Sequence, residues 1–595
     1  MKSQIEFKNG KPYINIDGTL HYPIAYTTYF DECGCWTDFI SHGYRMFFVN
    51  VSFTDLPINN MTGFTPFLSG IFEDNDMNCS EFDNLVRNIL NDCPDAFIFP
   101  RINIAMPRKW IAENPYECVE TPTGKRESLC SEKFLKDGSE LLRKLIEHIR
   151  SSDYADRVAG YQICGGITQE WMHHDLFGSF SEMGLKKFSK WMYTKYGIEN
   201  TDVPSRETFT KGIVNNTTQR YIEFSNEMAA SAINFFAKEL KEYINNEQVV
   251  GAFYGYSAFV GNNLYGLHGL NHIIDSPYID FFSSPCAYDD VRRLGVDWGD
   301  MIPVDSLKLH GKLAFIECDI RTYFTRRLHD SRPGRYSEEF YGLTDDNGNK
   351  TVWCGPETHE LSLSAIRKAF AHQLTKSSGV WWFDMWGGWY NDKKIMDEIK
   401  TMKLIAESSV NKNNDNYPHS EVVVFVDEKA YANIPYSNPL DRTVTDVRRT
   451  MGNTGIPFDL CMVEDCEKII ANYKAAIFTA PYPSEDGIKA INMCKEKNLP
   501  YITITDDKTS FSVEELRDFL VSNGVHCYND EGTVIYCGNG FIGIHAINDG
   551  DVKISLPGKY NVCQLLGKGF LSSMTDVVSL YMRKHDTVLF ELFKI

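Results

Sequence analysis

Eight short apolar segments alternate with amphipathic helical patterns over the first 410 residues, and this alternation limits the possible folds more than any other feature. The apolar residues of each segment run on with little interruption, as in strands that are buried on both faces. The segments are residues 21–30, 44–53, 96–106, 158–171, 249–260, 279–288, 312–324 and 379–390. Eight such strands predict a closed (β/α)8 TIM barrel over residues 1–410, in which residues 1–20 form a short β-hairpin before the first strand. An open doubly wound sheet is the alternative, but no glycine-rich phosphate loop follows the first strand.

The pattern changes twice beyond the barrel. The polar residues 411–418 predict a linker. Three apolar strands separated by helical stretches then predict a flavodoxin-like α/β domain over residues 419–530. These strands lie at residues 421–426, 475–480 and 501–505. Short alternating strands with glycine turns predict a small C-terminal antiparallel β-sandwich over residues 531–595, so the expected fold class is α/β with three domains.

Composition excludes several classes of function. The chain has 595 residues and a formal net charge of −20 at pH 7. A surface this acidic repels phosphate backbones and anionic lipids, so neither nucleic acid nor a membrane is expected as a partner. No signal peptide and no apolar run of about 20 residues is visible. The 16 cysteines are scattered singly, which favours reduced thiols in a cytoplasmic protein.

Two glutamates stand at the positions where such barrels place their chemistry. Glu170 ends the fourth predicted strand and Glu317 lies in the seventh. Burial of a carboxylate in an apolar strand is costly, so each needs a partner or a function. A structural ion pair is the simpler explanation for either one, and Arg321 could pair with Glu317 or Asp319. Two glutamates on strands four and seven, at the carboxyl ends, together favour a catalytic pair.

This arrangement resembles clan A of the glycoside hydrolases, whose barrels carry an acid/base Glu at the end of strand four and a nucleophile Glu at the end of strand seven. The three-domain layout resembles the family 42 β-galactosidases and is also similar to family 164, which contains β-mannosidases. One position departs from the clan pattern. Clan A normally has Asn directly before the acid/base Glu, where it contacts the sugar 2-hydroxyl, and this chain has Gln169.

The resemblance implies a retaining exo-β-glycosidase that acts on small oligosaccharides or glycosides. Retaining enzymes hold their two carboxyl groups about 5–5.5 Å apart. Glu317 would attack the anomeric carbon, and Glu170 would protonate the leaving oxygen and then activate water. Galactose is the first expectation for the sugar and mannose the second. In relatives the flavodoxin-like domain mediates trimer contacts, so a homotrimer is expected.

Further side chains are candidates for binding the sugar. They are Arg101, Asn103, Gln169, Trp171, His174, Tyr288 and Trp386. Arg101 and Asn103, on the third strand, could bond sugar hydroxyls or a catalytic carboxylate, and a structural ion pair is the alternative. Residues after Glu170 could line the subsite or pack within their loop. By analogy with relatives, Tyr288 would hydrogen-bond the nucleophile and Trp386 would lie beneath the sugar ring.

No metal and no cofactor are predicted. Cys33 and Cys35 form a close pair, but no second pair or histidine cluster follows to complete a zinc site. The competing class of function is a non-catalytic carbohydrate-binding or scaffold protein on a TIM barrel. The departure at Gln169 keeps this alternative open, whereas the presence of both glutamates in their strand contexts argues against it.

Overall fold

The computed structural model describes residues 1–595 except 74–75, 200–201, 260, 262–263, 289–291, 346–347, 349, 414–416, 568 and 570. Residue 260 of the fifth predicted strand and residues 414–416 of the predicted linker therefore lie outside the described residues. None of the described helices combines the length and the apolar character that crossing a bilayer requires.

Eight parallel strands form a closed barrel in which each strand pairs with the next along the chain and the eighth pairs with the first. The strands are β1 (Ile24–Thr28), β2 (Met46–Ser52), β3 (Phe97–Asn103), β4 (Gly160–Cys164), β5 (Val249–Phe253), β6 (Phe281–Pro285), β7 (Leu313–Cys318) and β8 (Gly379–Asp384). The predicted barrel is confirmed and the doubly wound sheet is excluded. A three-stranded antiparallel sheet precedes β1, where a hairpin was predicted; it comprises Ser3–Lys8, Lys11–Ile16 and Thr19–His21.

Helices and one small hairpin connect the barrel strands. The α-helices are Trp36–Ser41, Ser80–Asp92, Arg108–Glu113, Glu132–Arg150, Glu182–Tyr196, Arg206–Thr210, Asn216–Tyr243, Leu270–Ile273, Val304–Leu309, Leu328–Ser331, His359–Lys376 and Lys393–Ser408. The hairpin pairs Cys118–Thr121 with Gly124–Glu127. The longest helix, Asn216–Tyr243, begins with a capping box, in which Asn215 accepts hydrogen bonds from the backbone N–H groups of Thr217 and Thr218.

Aromatic rings fill the amino-terminal half of the barrel interior. The rings of Phe48 and Phe99 stack with their centroids 4.9 Å apart, and Trp381 lies 5.2 Å from Phe48. Glycine on neighbouring strands makes room for rings of this size, since a Cβ atom added at Gly251 would lie 2.0 Å from the ring of Phe281. This packed layer closes the barrel below, so a ligand can enter only from the carboxyl ends of the strands.

The fourth strand is shorter than predicted. It ends at Cys164, and Glu170 stands in the loop that follows it instead of at the strand end. The backbone explains the difference, because Thr168, Gln169 and Trp171 all have positive φ angles of 54°, 70° and 58°. Extended geometry cannot continue through residues in the left-handed region.

A second sheet, of four parallel strands, follows the barrel. Its strands are β9 (Val422–Val426), β10 (Asp459–Met462), β11 (Ala475–Phe478) and β12 (Tyr501–Thr503), in the order β10-β9-β11-β12. Its α-helices are Thr443–Gly452, Cys466–Ile469, Glu485–Glu496 and Val513–Ser522. The sequence patterns predicted three of these strands and missed Asp459–Met462, which has only four residues and begins with a charged one.

Five antiparallel strands form the last sheet. They are β13 (Val534–Gly538), β14 (Phe541–His545), β15 (Gly550–Leu566), β16 (Leu571–Met582) and β17 (Thr587–Phe593), in the order β13-β14-β17-β15-β16. All five belong to one sheet, and the register of the long strand β15 shifts after Ser555. Ile535 of β13 and Val578 of β16 share one apolar cluster, so the two ends of this irregular sheet face a common core.

Candidate active site

Strand alternation sets the layer in which the site is built. Side chains two positions apart on a strand point to the same face. Phe99 and Phe315 belong to the aromatic interior. Arg101 and Glu317, two residues further along the same strands, therefore also point into the barrel, one layer nearer its open end. The same alternation adds three polar side chains to this layer, namely Asn50, Gln162 and Ser283.

Glu317 is held rigidly on β7. Its neighbours across the sheet are Pro285 on β6 and Trp381 on β8. The side chain is 1% exposed, and its Oε2 atom has no hydrogen-bond partner among the described residues. A buried carboxyl oxygen without a partner is costly, and such groups concentrate at functional sites.

Glu170 is held by the tight loop after β4. A bridge pairs Glu170 with Gly165, and the Trp171 N–H donates to the Gly165 carbonyl over 2.6 Å. The Thr168 hydroxyl donates to Oε2 of Glu170. The Glu170 side chain is 5% exposed, so the loop places a second carboxyl group in the same buried region as Glu317.

Burial and neighbouring charges raise the pKa of both carboxyl groups. Burial raises the pKa of Glu170 from 4.5 to about 7, against the opposing effects of the Thr168 hydroxyl and the Arg101 charge. The pKa of Glu317 lies well above 4.5 because of burial first, then the negative charge of Asp319, and also that of Glu170, while Arg101 opposes the shift. The two groups therefore share at least one proton near neutral pH.

Aromatic rings hold Arg101 in position near the two glutamates. Its guanidinium carbon lies 5.0 Å from the ring centre of Tyr29, 4.8 Å from that of Phe253 and 4.9 Å from that of Trp381. It donates to Asn50 and to the Tyr29 hydroxyl, each over 3.4 Å. Its Nε atom has no partner among the described residues. The charge of Arg101 acts on both glutamates and opposes the rise in their pKa values.

Other unpartnered polar atoms gather around the pair. Gln169 is fully buried, and neither its amide oxygen nor its amide nitrogen has a partner among the described residues. The same holds for Gln162 within the barrel. The hydroxyl of Tyr256, just beyond β5, lies beside Glu170 and draws its pKa down without the geometry of a full hydrogen bond. A sugar carries several hydroxyl groups, and each of them can both donate and accept hydrogen bonds, as these amide and hydroxyl groups require.

The prediction that Trp171 contacts the substrate is corrected. Its indole is fully buried and packs against Phe236 of the helix Asn216–Tyr243, with 5.7 Å between ring centres. The indole N–H donates to the Ile163 carbonyl over 3.3 Å. The left-handed backbone at residue 171 turns the ring to the outside of the barrel, where it serves packing.

His174 and Asn103 are also engaged elsewhere. Nδ1 of His174 lies 3.0 Å from the side-chain oxygen of Asn60, and Nε2 lies 3.2 Å from Glu127. Glu127 is buried and ion-paired with Arg126 at 3.2 Å. Asn103 donates to the Ser52 hydroxyl over 2.9 Å. Both ring nitrogens of His174 are therefore engaged, and the Asn103 amide nitrogen is bonded to the last residue of the neighbouring strand β2.

Tyr288 and Trp386 lie at the rim in arrangements that were not predicted. Tyr288 is within electrostatic range of Glu317 but forms no hydrogen bond to it, and Arg292 stacks on its ring at 3.7 Å. Trp386 is fully buried, 5.4 Å from Trp353 and 5.1 Å from Trp389. The expected bond to the nucleophile is absent, and the expected platform is enclosed by other aromatic rings.

Sequence reasoning missed one charged residue near Glu317, namely Arg292. Asp319 is buried and forms ion pairs with Arg292 and, at 2.6 Å, with Arg321. The pairing of Arg321 with Asp319 was one of the two alternatives that the sequence offered, whereas nothing local indicates Arg292 as a partner. Among the described residues, no three His, Cys, Asp or Glu side chains come together as a metal site would need.

The sequence matches no family model and no curated protein. The chain nevertheless has the fold of solved family 42 β-galactosidases. A β-galactosidase from Rahnella sp. R3 shares 10% identity at a TM-score of 0.64, with 100% of both chains covered. A β-galactosidase from Bacillus circulans sp. alkalophilus shares 10% identity at a TM-score of 0.57 (96% and 99% covered). An exo-carrageenase of family GH42 from Bacteroides ovatus shares 12% identity at a TM-score of 0.59 (100% and 85% covered).

Proposed function

We propose that this protein is a retaining exo-β-glycosidase with Glu317 as nucleophile and Glu170 as acid/base. One observation carries the proposal: two buried glutamates, from β7 and from the loop after β4, lie close enough to each other and to Arg101 for their charges to interact, and Oε2 of Glu317 has no hydrogen-bond partner among the described residues. The enzymes with this fold named above are glycoside hydrolases, which supports the same assignment. Strand position assigns the two roles, since burial raises the pKa of both groups.

The reaction takes two displacements. In the first, a carboxylate oxygen of Glu317 bonds to the anomeric carbon while the bond to the leaving oxygen breaks, and protonated Glu170 gives that oxygen its proton. In the second, Glu170 takes a proton from water, the water oxygen bonds to the anomeric carbon, and Glu317 leaves. Arg101 favours the ionised form of Glu317, and a pKa of about 7 leaves about half of the Glu170 carboxyl groups protonated at pH 7. Two inversions give net retention.

β-Galactosides are the first candidate substrates and β-mannosides the second. Two of the three solved proteins compared above are named β-galactosidases, which supports galactose. Gln169 replaces the Asn of the clan pattern, and its side chain is longer than that of Asn by one methylene group. Either the backbone retreats so that Gln169 meets an equatorial 2-hydroxyl, or the site fits a different 2-position such as the axial hydroxyl of mannose.

A panel of 4-nitrophenyl β-glycosides tests this function. We expect turnover of at least one sugar, with the β-anomer of the product formed first in an NMR time course. Inversion, or turnover of no glycoside or natural disaccharide, would contradict the proposal. In the second case the non-catalytic binding function, which the Gln169 departure favours, would replace it.

We also propose that the chain forms a homotrimer through the flavodoxin-like domain, residues 419–530. The described part of this domain contains no site of its own that the function would use. The domain would have a role if it completed the rim of the active site in a neighbouring copy of the chain. Light scattering at micromolar concentration should give three times the chain mass of 68.1 kDa. A monomeric mass would contradict this assembly.

A further inference from the structure

A large cleft opens at the barrel mouth beside the strand that carries the nucleophile. Its volume is about 940 Å³. Tyr288, after β6, and Asp319 and Arg321, after β7, form its inner wall. Both Asp319 and Tyr288 lie within electrostatic range of Glu317. Asp319 and Arg321 follow Glu317 by two and four residues, so the cleft adjoins the end of β7 that carries Glu317.

The lining of the cleft is cationic although the chain is acidic. Its lining contains four basic side chains, Arg292, Arg293, Arg321 and Lys350, and two carboxylates, Asp319 and Glu357. Arg292 and Arg321 pair with Asp319, and Lys350 pairs with Glu357, so the basic groups exceed the acidic ones by two. The formal net charge of the whole chain is −20. A positive cleft in a negative protein concentrates anions where it opens, because low-dielectric walls focus the field.

Arg321 presents unpaired donors in this wall. Its side chain is 6% exposed, and Nη1 donates to Asp319, but Nε and Nη2 have no hydrogen-bond partner among the described residues. The ring centres of Trp353 and Trp389 lie 4.8 Å and 5.1 Å from its guanidinium carbon and limit its movement. Buried guanidinium donors without acceptors are costly, and a carboxylate or sulfate supplies two acceptor oxygens in matching geometry.

We propose that this cleft binds an acidic group, a carboxylate or a sulfate ester, carried by the sugar substrate next to the bond that is cleaved. The proposal deepens the glycosidase function and rests on it for the catalytic outcome. The preference for acidic over neutral sugars is a property of the cleft itself and can be measured without turnover.

Calorimetry on the full chain tests the preference with sugars that differ only in charge. The probes are methyl β-D-galactopyranoside, its uronate and its 6-sulfate, together with methyl β-D-glucopyranoside and its uronate. We expect at least one acidic sugar to bind at least tenfold more tightly than its neutral counterpart, and Arg321→Gln to remove most of that difference. Arg327→Gln is the control, since Arg327 pairs with Asp330 and Glu338 at the surface and does not line the cleft.

Equal affinity for neutral and acidic sugars, or no binding of any acidic sugar at 10 mM, would overturn the proposal. If Arg321→Gln fails to fold, the salt dependence of sugar binding by the wild type tests the proposal instead. Added NaCl should then weaken binding of the acidic sugars and leave the neutral ones unchanged, and equal weakening would overturn the proposal. Turnover of neutral glycosides without a preference for acidic sugars would contradict only the proposed acidic-group site and would leave the glycosidase function in place. Tighter binding of acidic sugars without turnover of any glycoside, acidic or neutral, would contradict only the proposed glycosidase function.

Discussion

Asp319 stands two residues after Glu317, beyond the same strand end, and its negative charge raises the pKa of the Glu317 carboxyl group. Asp319 is itself ion-paired with Arg292 and Arg321. This relationship leads to the first prediction.

Asp319→Asn should move the acid limb of kcat/KM to lower pH by about one unit. Removal of the negative charge lowers the pKa of Glu317, and the ionised nucleophile then persists in more acidic solution. The measurement is a pH profile with one 4-nitrophenyl glycoside. Asp330→Asn, at an exposed ion pair, is the matched control and should leave the profile in place. An acid limb that moves to higher pH would contradict the role of Asp319.

Activity should fall as the pH rises through about 7, because Glu170 then loses the proton that it gives to the leaving group. In Glu170→Ala this alkaline limb should disappear for substrates with a good leaving group, and azide should increase the rate by forming the β-glycosyl azide. If the limb survives in the variant, another group is the acid.

Glu317→Gly should lose activity by about 10⁴-fold or more, since no covalent intermediate can form. Azide placed in the vacated space should restore part of the activity and give the α-glycosyl azide. NMR of the product distinguishes the two anomers. The same anomer from the Glu170 and Glu317 variants would refute the division of roles.

Gln169→Asn tests how the site reads the sugar 2-position. We expect kcat/KM for β-galactoside and β-glucoside to fall about tenfold more than for β-mannoside, because the shorter amide no longer reaches an equatorial hydroxyl. A gain for galactoside, with a wild type that prefers mannoside, would instead assign the site to mannose. Equal loss on all three sugars would mean that Gln169 orients Glu170.

Trp171→Ala should destabilise the fold by about 3–5 kcal/mol, the usual cost of removing a large buried aromatic side chain. Chemical denaturation measures the loss. Trp110→Ala, at a half-buried indole, should cost less. The KM of folded Trp171→Ala enzyme should stay within about twofold of wild type, because the ring faces away from the sugar. A large rise in KM with unchanged stability would restore the sequence-based interpretation.

Sequence by itself determined the barrel and the strand on which Glu317 lies. Strands buried on both faces are continuous apolar runs, so β1 to β8 are visible without any partner. Glu317 interrupts such a run, and the period of two assigns it to the same face as Phe315. The strands and the face on which Glu317 lies depend on residues close together in the chain, so the local periodicity of the sequence predicts them.

Tertiary structure decided how the site is completed. The left-handed turn at Thr168, Gln169 and Trp171 aims Glu170 inward and Trp171 outward, and no side-chain pattern records that turn. Arg292, one of the two partners of Asp319, lies 27 residues earlier in the chain, and Arg321 is enclosed by Trp353 and Trp389 from distant loops. Such contacts are set by the packing of elements far apart in the chain, which composition and spacing do not encode.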